Sequence, residues 1–279
     1  MFLVDTSTAG RTRMPAAFIG HGNPISALRP NRYTQAWHDF GRSVPRPRAI
    51  LVISAHWYTN ATAVTAMPRP RTIHDFYGFP QEMYDVSYPA PGLPELAEEV
   101  ADVASPTWVG CDIDSWGIDH GTWLVLVHAF PDATIPVVQL SLNAFKGFDY
   151  HVELGRRLNE LRDSGVLIIG SGNVVHNLEA ADRNHPDDAF TWASRFDDAA
   201  RSVLTSSTPA EVAALDSHPD FDNAVPTPDH YLPLLYLAGM AGDDPMSLLV
   251  DGHQGGSISM AAYTVGLDSA AQEAGTAGS

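Results

Sequence analysis

AILVISAHW, Ala49–Trp57, is a nearly unbroken apolar run that ends in a histidine. A short run of this kind suits a strand buried on both faces, as in a sheet covered by helices on each side. Three more runs read the same way: AAFIG (Ala16–Gly20), TIPVVQLSL (Thr134–Leu142) and VLIIGSG (Val166–Gly172). Helical patterns fall between and after them. Leu93–Ala104 follows a Pro/Gly turn, Tyr150–Asp163 is amphipathic and stops before Gly165, and Phe190–Leu204 continues the alternation. Tyr231–Met240 is apolar almost all round and reads as a buried helix. Strands alternating with helices predict one α/β domain with a central mixed, largely parallel sheet flanked by helices. The domain is expected over residues 14–268, with loose ends at 1–13 and 269–279.

Charge and composition narrow the function. The 279 residues carry 16 basic against 33 acidic side chains, a net charge of −17. Such a chain is repelled by phosphate backbones and by anionic lipid, so neither nucleic acid nor membrane is expected as a partner. A single cysteine, Cys111, excludes an internal disulfide and a CxxC knuckle. It has no evident activating partner and reads as structural. No apolar run reaches the roughly 20 residues of a membrane span. The first residues lack a signal-peptide pattern, and the expected location is the cytoplasm. GSGN at 170–173 is not followed by Lys-Ser/Thr, and neither GxGxxG, GxSxG nor HExxH occurs in the required context.

The twelve histidines are more informative. His21 follows the first strand in FIGHGNP, His56 ends the second, and His176 lies just beyond VLIIGSG. Ligands of open α/β sheets bind outside the carboxyl ends of the strands. Three histidines leaving three strands can therefore converge there. His230, in PTPDHYLP, opens the late apolar helix and can reach the same mouth. Each alone reads equally as a loop or core residue. Glycines and prolines around them fix the backbone, which a preorganised metal shell requires. His120, in GIDHGTW, stands at the edge of an apolar segment that reads as strand or buried helix. His74 lies in an aromatic loop with Phe76, Tyr77 and Phe79 that reads either as a pocket wall or as a surface loop. His128 reads as core. His38, His151, His185, His218 and His253 read as surface residues.

Taken in order, FIGHGNP, ILVISAHW, TIHDFYGFP, GIDHGTW, GSGNVVHN and PTPDHYLPLLY resemble the class III extradiol ring-cleavage dioxygenases, the LigB-like superfamily. The nearest branch is the 4,5-DOPA dioxygenase-like group, and the resemblance spans roughly residues 14 to 265. It implies one divalent metal held by His21, His56 and His230. His176 would be the neighbouring acid/base or a fourth ligand, and His120 would hold substrate or oxygen. Protocatechuate-cleaving relatives use two histidines and a glutamate. Here the third position is His230 with Asp229 beside it. Fe(II) is implied for dioxygenase activity, while three histidines also suit Zn(II). The partners implied are a small catecholic substrate and O2, in a monomer or small homo-oligomer. A zinc hydrolase on the same histidines, or a non-catalytic binding protein, are the alternatives.

Overall fold

The computed structural model describes residues 13–182 and 184–267. The ends expected to be loose fall outside this range, except Arg13, whose guanidinium pairs with Asp163. In chain order the elements are β1 (Ala16–Gly20), α1 (Arg32–Ser43), β2 (Ala49–Thr59), β3 (Ala63–Thr65), α2 (Gln81–Tyr84) and α3 (Pro94–Ala104). There follow β4 (Gly110–Asp112), α4 (His120–Ala129), β5 (Val137–Asn143), α5 (Phe148–Leu158), β6 (Val166–Gly172) and α6 (Thr191–Leu204). The last are α7 (Phe221–Ala224), α8 (Leu232–Ala241), β7 (Ser247–Val250), β8 (His253–Gln254), β9 (Ile258–Ser259) and β10 (Ala262–Val265).

Eight strands form one sheet in the order β4-β3-β5-β2-β6-β1-β10-β7. Its centre, β5, β2, β6 and β1, is parallel throughout. Antiparallel pairs enter at β3 against β5, β10 against β1 and β7 against β10. The four apolar runs of the sequence are the four central strands. Alternate residues serve opposite faces, as the pleat demands. Leu51, Ile53, Ile168 and Phe18 enter a core with α3, α5, α6 and α8. Ile50, Val52, Ile169 and Ile19 enter a second core with α1 and α4. Covering both faces removes any need for polar alternation, which is why these strands read as continuous apolar runs.

The helices follow their sequence signals. Asn31 caps α1 through a reciprocal capping box with Thr34. The segment after α5 tightens into a 3-10 turn and ends at Gly165, whose φ of 83° suits glycine. Every residue of α8 is buried, between the sheet and α5. The segment after His120 resolves as helix α4, buried on nearly all sides. Two readings are corrected here. His151 is fully buried on the stripe of α5 that meets α8, with Nδ1 3.1 Å from the Tyr236 hydroxyl. His253 is also buried, on β8 against Asp197. His128 is half-buried, bonded to the Ser26 carbonyl. Cys111 is exposed on the edge strand β4. Among the described residues no helix is long and apolar enough to cross a membrane.

Candidate metal centre

The strand order brings β2, β6 and β1 side by side, and their carboxyl ends meet under one point. His21 leaves β1 there. Its backbone N–H donates to Gly172 O at the end of β6. Asn173 Nδ2 donates to the His21 carbonyl (2.6 Å) and to Ser259 O (2.8 Å), while Asn173 N donates to His230 O (2.8 Å). One asparagine thus ties two histidine-bearing segments together. Gly172 is required because a Cβ there would collide with the His230 carbonyl. The GSGN motif is a clamp for the two loops.

His56 lies inside β2, which runs on to Thr59 rather than ending at the histidine, at the place where the β2–β5 register shifts between Ile53 and Tyr58, an irregularity that re-aims a side chain. Asp119 caps α4 through Thr122 N and also accepts from Ser54 on β2 (2.8 Å), which sets His120 and Gly121 over His56. The structure brings all five predicted histidines together. His21, His120 and His230 are 3%, 5% and 7% exposed. The ring centres of His21, His56 and His230 form a near-equilateral triangle with sides of 5.1, 5.1 and 5.3 Å. His120 adds a fourth ring, 3.8 Å from His56 and 6.0 Å from His21. His176 stacks face to face on His230, with centres 3.4 Å apart.

The hydrogen bonds settle most of the tautomers. Ser171 Oγ spends its proton on the Gly121 carbonyl, so it accepts from His21 Nδ1 at 3.0 Å. Asp75 accepts from His56 Nδ1 (3.0 Å) and from His120 Nδ1 (2.9 Å). Asp229 accepts from His230 Nδ1. Four rings therefore carry their proton on Nδ1 and present Nε2 as a lone pair. His21 Nε2 and His56 Nε2 then face each other at 3.1 Å as two acceptors. A shared cation, or a proton held by His56, makes that arrangement favourable.

Electrostatics agree. Burial, reinforced by the neighbouring histidines, drives His21 well below its usual pKa. Burial likewise lowers His230 to about 4 against the pull of Asp229, and His176 to about 2. His120 is lowered by burial and by His56. His56 alone is raised: burial opposes its charge, but the Asp75 hydrogen bond and the charges of Asp119, Asp75 and Asp229 prevail. Neutral imidazoles are the form that binds a metal.

The donor set fits a single ion. Three imidazoles at about 2.0–2.1 Å around a tetrahedral ion would hold their ring centres roughly 5 Å apart. The His21–His56–His230 triangle has that size. By nitrogen position the set that closes is His21, His56 and His120, whose donor atoms lie within 4.8 Å of one another, so His120 competes with His230 for the third place. Both sets share His21 and His56. A flat apolar wall adjoins the centre: Phe76 is 7% exposed, its ring edge-on to His120 at 5.4 Å and packed on Phe79 and Tyr84. Tyr77, next in the loop, points to solvent. The aromatic loop is thus both pinned by its own aromatics and a wall beside the histidines.

The profile of the catalytic LigB subunit of aromatic ring-opening dioxygenases matches residues 28–266. The chain belongs to the LigB family. It is similar to the 4,5-DOPA dioxygenase extradiol of Escherichia coli K12, 45% identical over 95% of this chain and 99% of the relative. The Beta vulgaris protein of the same name is 36% identical over 88% and 94% of the two chains. A crystal structure of an uncharacterized Escherichia coli K12 protein superposes with a TM-score of 0.80 at 43% identity, covering 91% of this chain and all of that one. As a LigB-family enzyme the protein is a metal-dependent aromatic ring-opening dioxygenase.

Asp75, Ser171 and Asp119 were not visible as site residues in the sequence, because none sits in a pattern that announces a contact with histidine. Gly121 also gains a role. A Cβ there would stand 2.7 Å from His56 Cδ2 and from Ser54 Oγ. Gly121→Ala is expected to displace His56 and weaken zinc binding by about 10-fold or more, the scale of a lost outer-shell contact. Chelator competition on the folded variant measures it, and wild-type affinity would show that His56 is not crowded there.

Proposed function

We propose that this LigB-family enzyme is an extradiol dioxygenase acting on a small catechol, opening the ring beside the diol to a muconic semialdehyde. The observation that carries this reading is the pair of opposed lone pairs on His21 and His56, 3.1 Å apart, with His230 completing the triangle. In it His21, His56 and His230 hold one ferrous ion. Bound there, the ion supplies a single centre at which a catechol and O2 react.

The remaining side chains prepare the substrate. His176 stacks on His230 beside the centre and has no side-chain hydrogen bond among the described residues, so its ring nitrogens are free to take a catechol hydroxyl proton. The same nitrogen returns that proton later in the cycle. His120, oriented by Asp75, presents Nε2 as an acceptor for a substrate hydroxyl. Phe76, edge-on to His120, gives the site an apolar wall that limits water. DOPA is a natural member of the substrate class, given the names of the relatives.

An all-imidazole donor set suits zinc as well as iron. Oxygen uptake separates the two. After anaerobic loading with Fe(II), a panel of catechols is expected to drive uptake together with a yellow ring-opened product. The zinc-loaded enzyme is expected to show none. Amide or ester hydrolysis by the zinc form, with no uptake by the iron form, would overturn the proposal.

A further inference from the structure

Asp75 sits in an irregular loop, yet it is held as firmly as a strand residue. Ile73 N donates to Ile118 O (2.7 Å), Trp123 Nε1 donates to Ile73 O (2.7 Å) and His74 Nε2 donates to Val86 O (2.9 Å). The loop delivers one carboxylate to two histidines. Oδ1 accepts from both His120 N (3.0 Å) and His120 Nδ1 (2.9 Å), and Oδ2 accepts from His56 Nδ1 (3.0 Å). The side chain is 21% exposed, so water does not readily substitute.

We infer that Asp75 is a positioning residue that fixes the tautomers of His56 and His120 together, and so keeps the His56 Nε2 lone pair available to the metal. The inference rests on the proposed metal site. Its content is the polarity of the hydrogen bonds, not the filling of space. The His120 backbone N–H can only donate, so an asparagine at position 75 must keep its oxygen on that side. Its NH2 then faces His56 Nδ1, which must accept. The proton of His56 moves to Nε2, and the ring can no longer bind a metal without breaking that bond. The near-isosteric substitution is therefore more damaging than removal of the side chain, which leaves Nδ1–H of His56 free to bond a water.

The test compares wild type, Asp75→Asn and Asp75→Ala by zinc competition against a chelator, with circular dichroism as the check of folding. Asp75→Asn is expected to bind zinc about 10–100-fold more weakly than wild type, the range for outer-shell partners of metal-bound histidine, and more weakly than Asp75→Ala. 15N-imidazole spectra are expected to show His56 protonated on Nδ1 alone in zinc-loaded wild type and on Nε2 in metal-free Asp75→Asn. Equal zinc affinity for Asp75→Asn and wild type, or weaker binding by Asp75→Ala than by Asp75→Asn, would overturn the inference while leaving the metal site intact. A wild-type protein that takes up no zinc or iron would instead remove the metal reading beneath it.

Discussion

His230→Ala is expected to abolish stoichiometric metal binding, and turnover with it, whereas His120→Ala keeps the metal. The triangle of His21, His56 and His230 is almost regular, while His120 stands close to one of its members and far from another. A regular triangle is what a single ion imposes on three equivalent ligands. Removing one of three ligands should cost more than the roughly 10–100-fold lost with an outer-shell partner. His21→Ala and His56→Ala are expected to behave like His230→Ala. Metal content after dialysis, with chelator competition for weak binders, measures all four variants. Metal retained by His230→Ala and lost by His120→Ala would move the third ligand to His120, as the positions of the donor nitrogens allow.

The second large effect is expected at His176. Its ring lies flat on His230, 3.4 Å between centres, so a direct bond to the ion shared with His230 would require it to turn away from that stack. It lies beside the centre with its nitrogens unspent on other side chains among the described residues. A proton carrier needs ring nitrogens left free beside the substrate. His176→Ala should therefore keep its metal and its affinity for catechol and lose about 10²–10⁴-fold in kcat, the usual range for a lost acid/base group. Its pH–rate profile should also lose one limb. A variant that releases its metal would make His176 a fourth ligand.

Much of this arrangement was legible in the sequence, for a physical reason. A strand buried on both faces must be apolar along its length, so a histidine at its end stands out. His21, His56 and His176 were found in that way, and parallel neighbours then guarantee that such ends meet. Asp75 was hidden because its partners lie 19 and 45 positions away and its loop has no period. Ser171 looked like one more small residue of a strand, and its bond to His21 exists only because β6 lies beside β1. His151 is a different case. It stands four residues before Gly155 and seven before Leu158, on the buried stripe of its own helix, so the periodicity that predicted the helix also contained its burial.

The most direct test of the account is isotopic. The iron-loaded enzyme would be given a catechol under 18O2, with the product reduced at once so that the aldehyde cannot exchange its oxygen with water. Two labelled oxygens in a single ring-opened product are the predicted result, since a dioxygenase places both atoms of O2 in its substrate. A product whose new oxygen comes from water alone would contradict the account and make these histidines the site of a hydrolase.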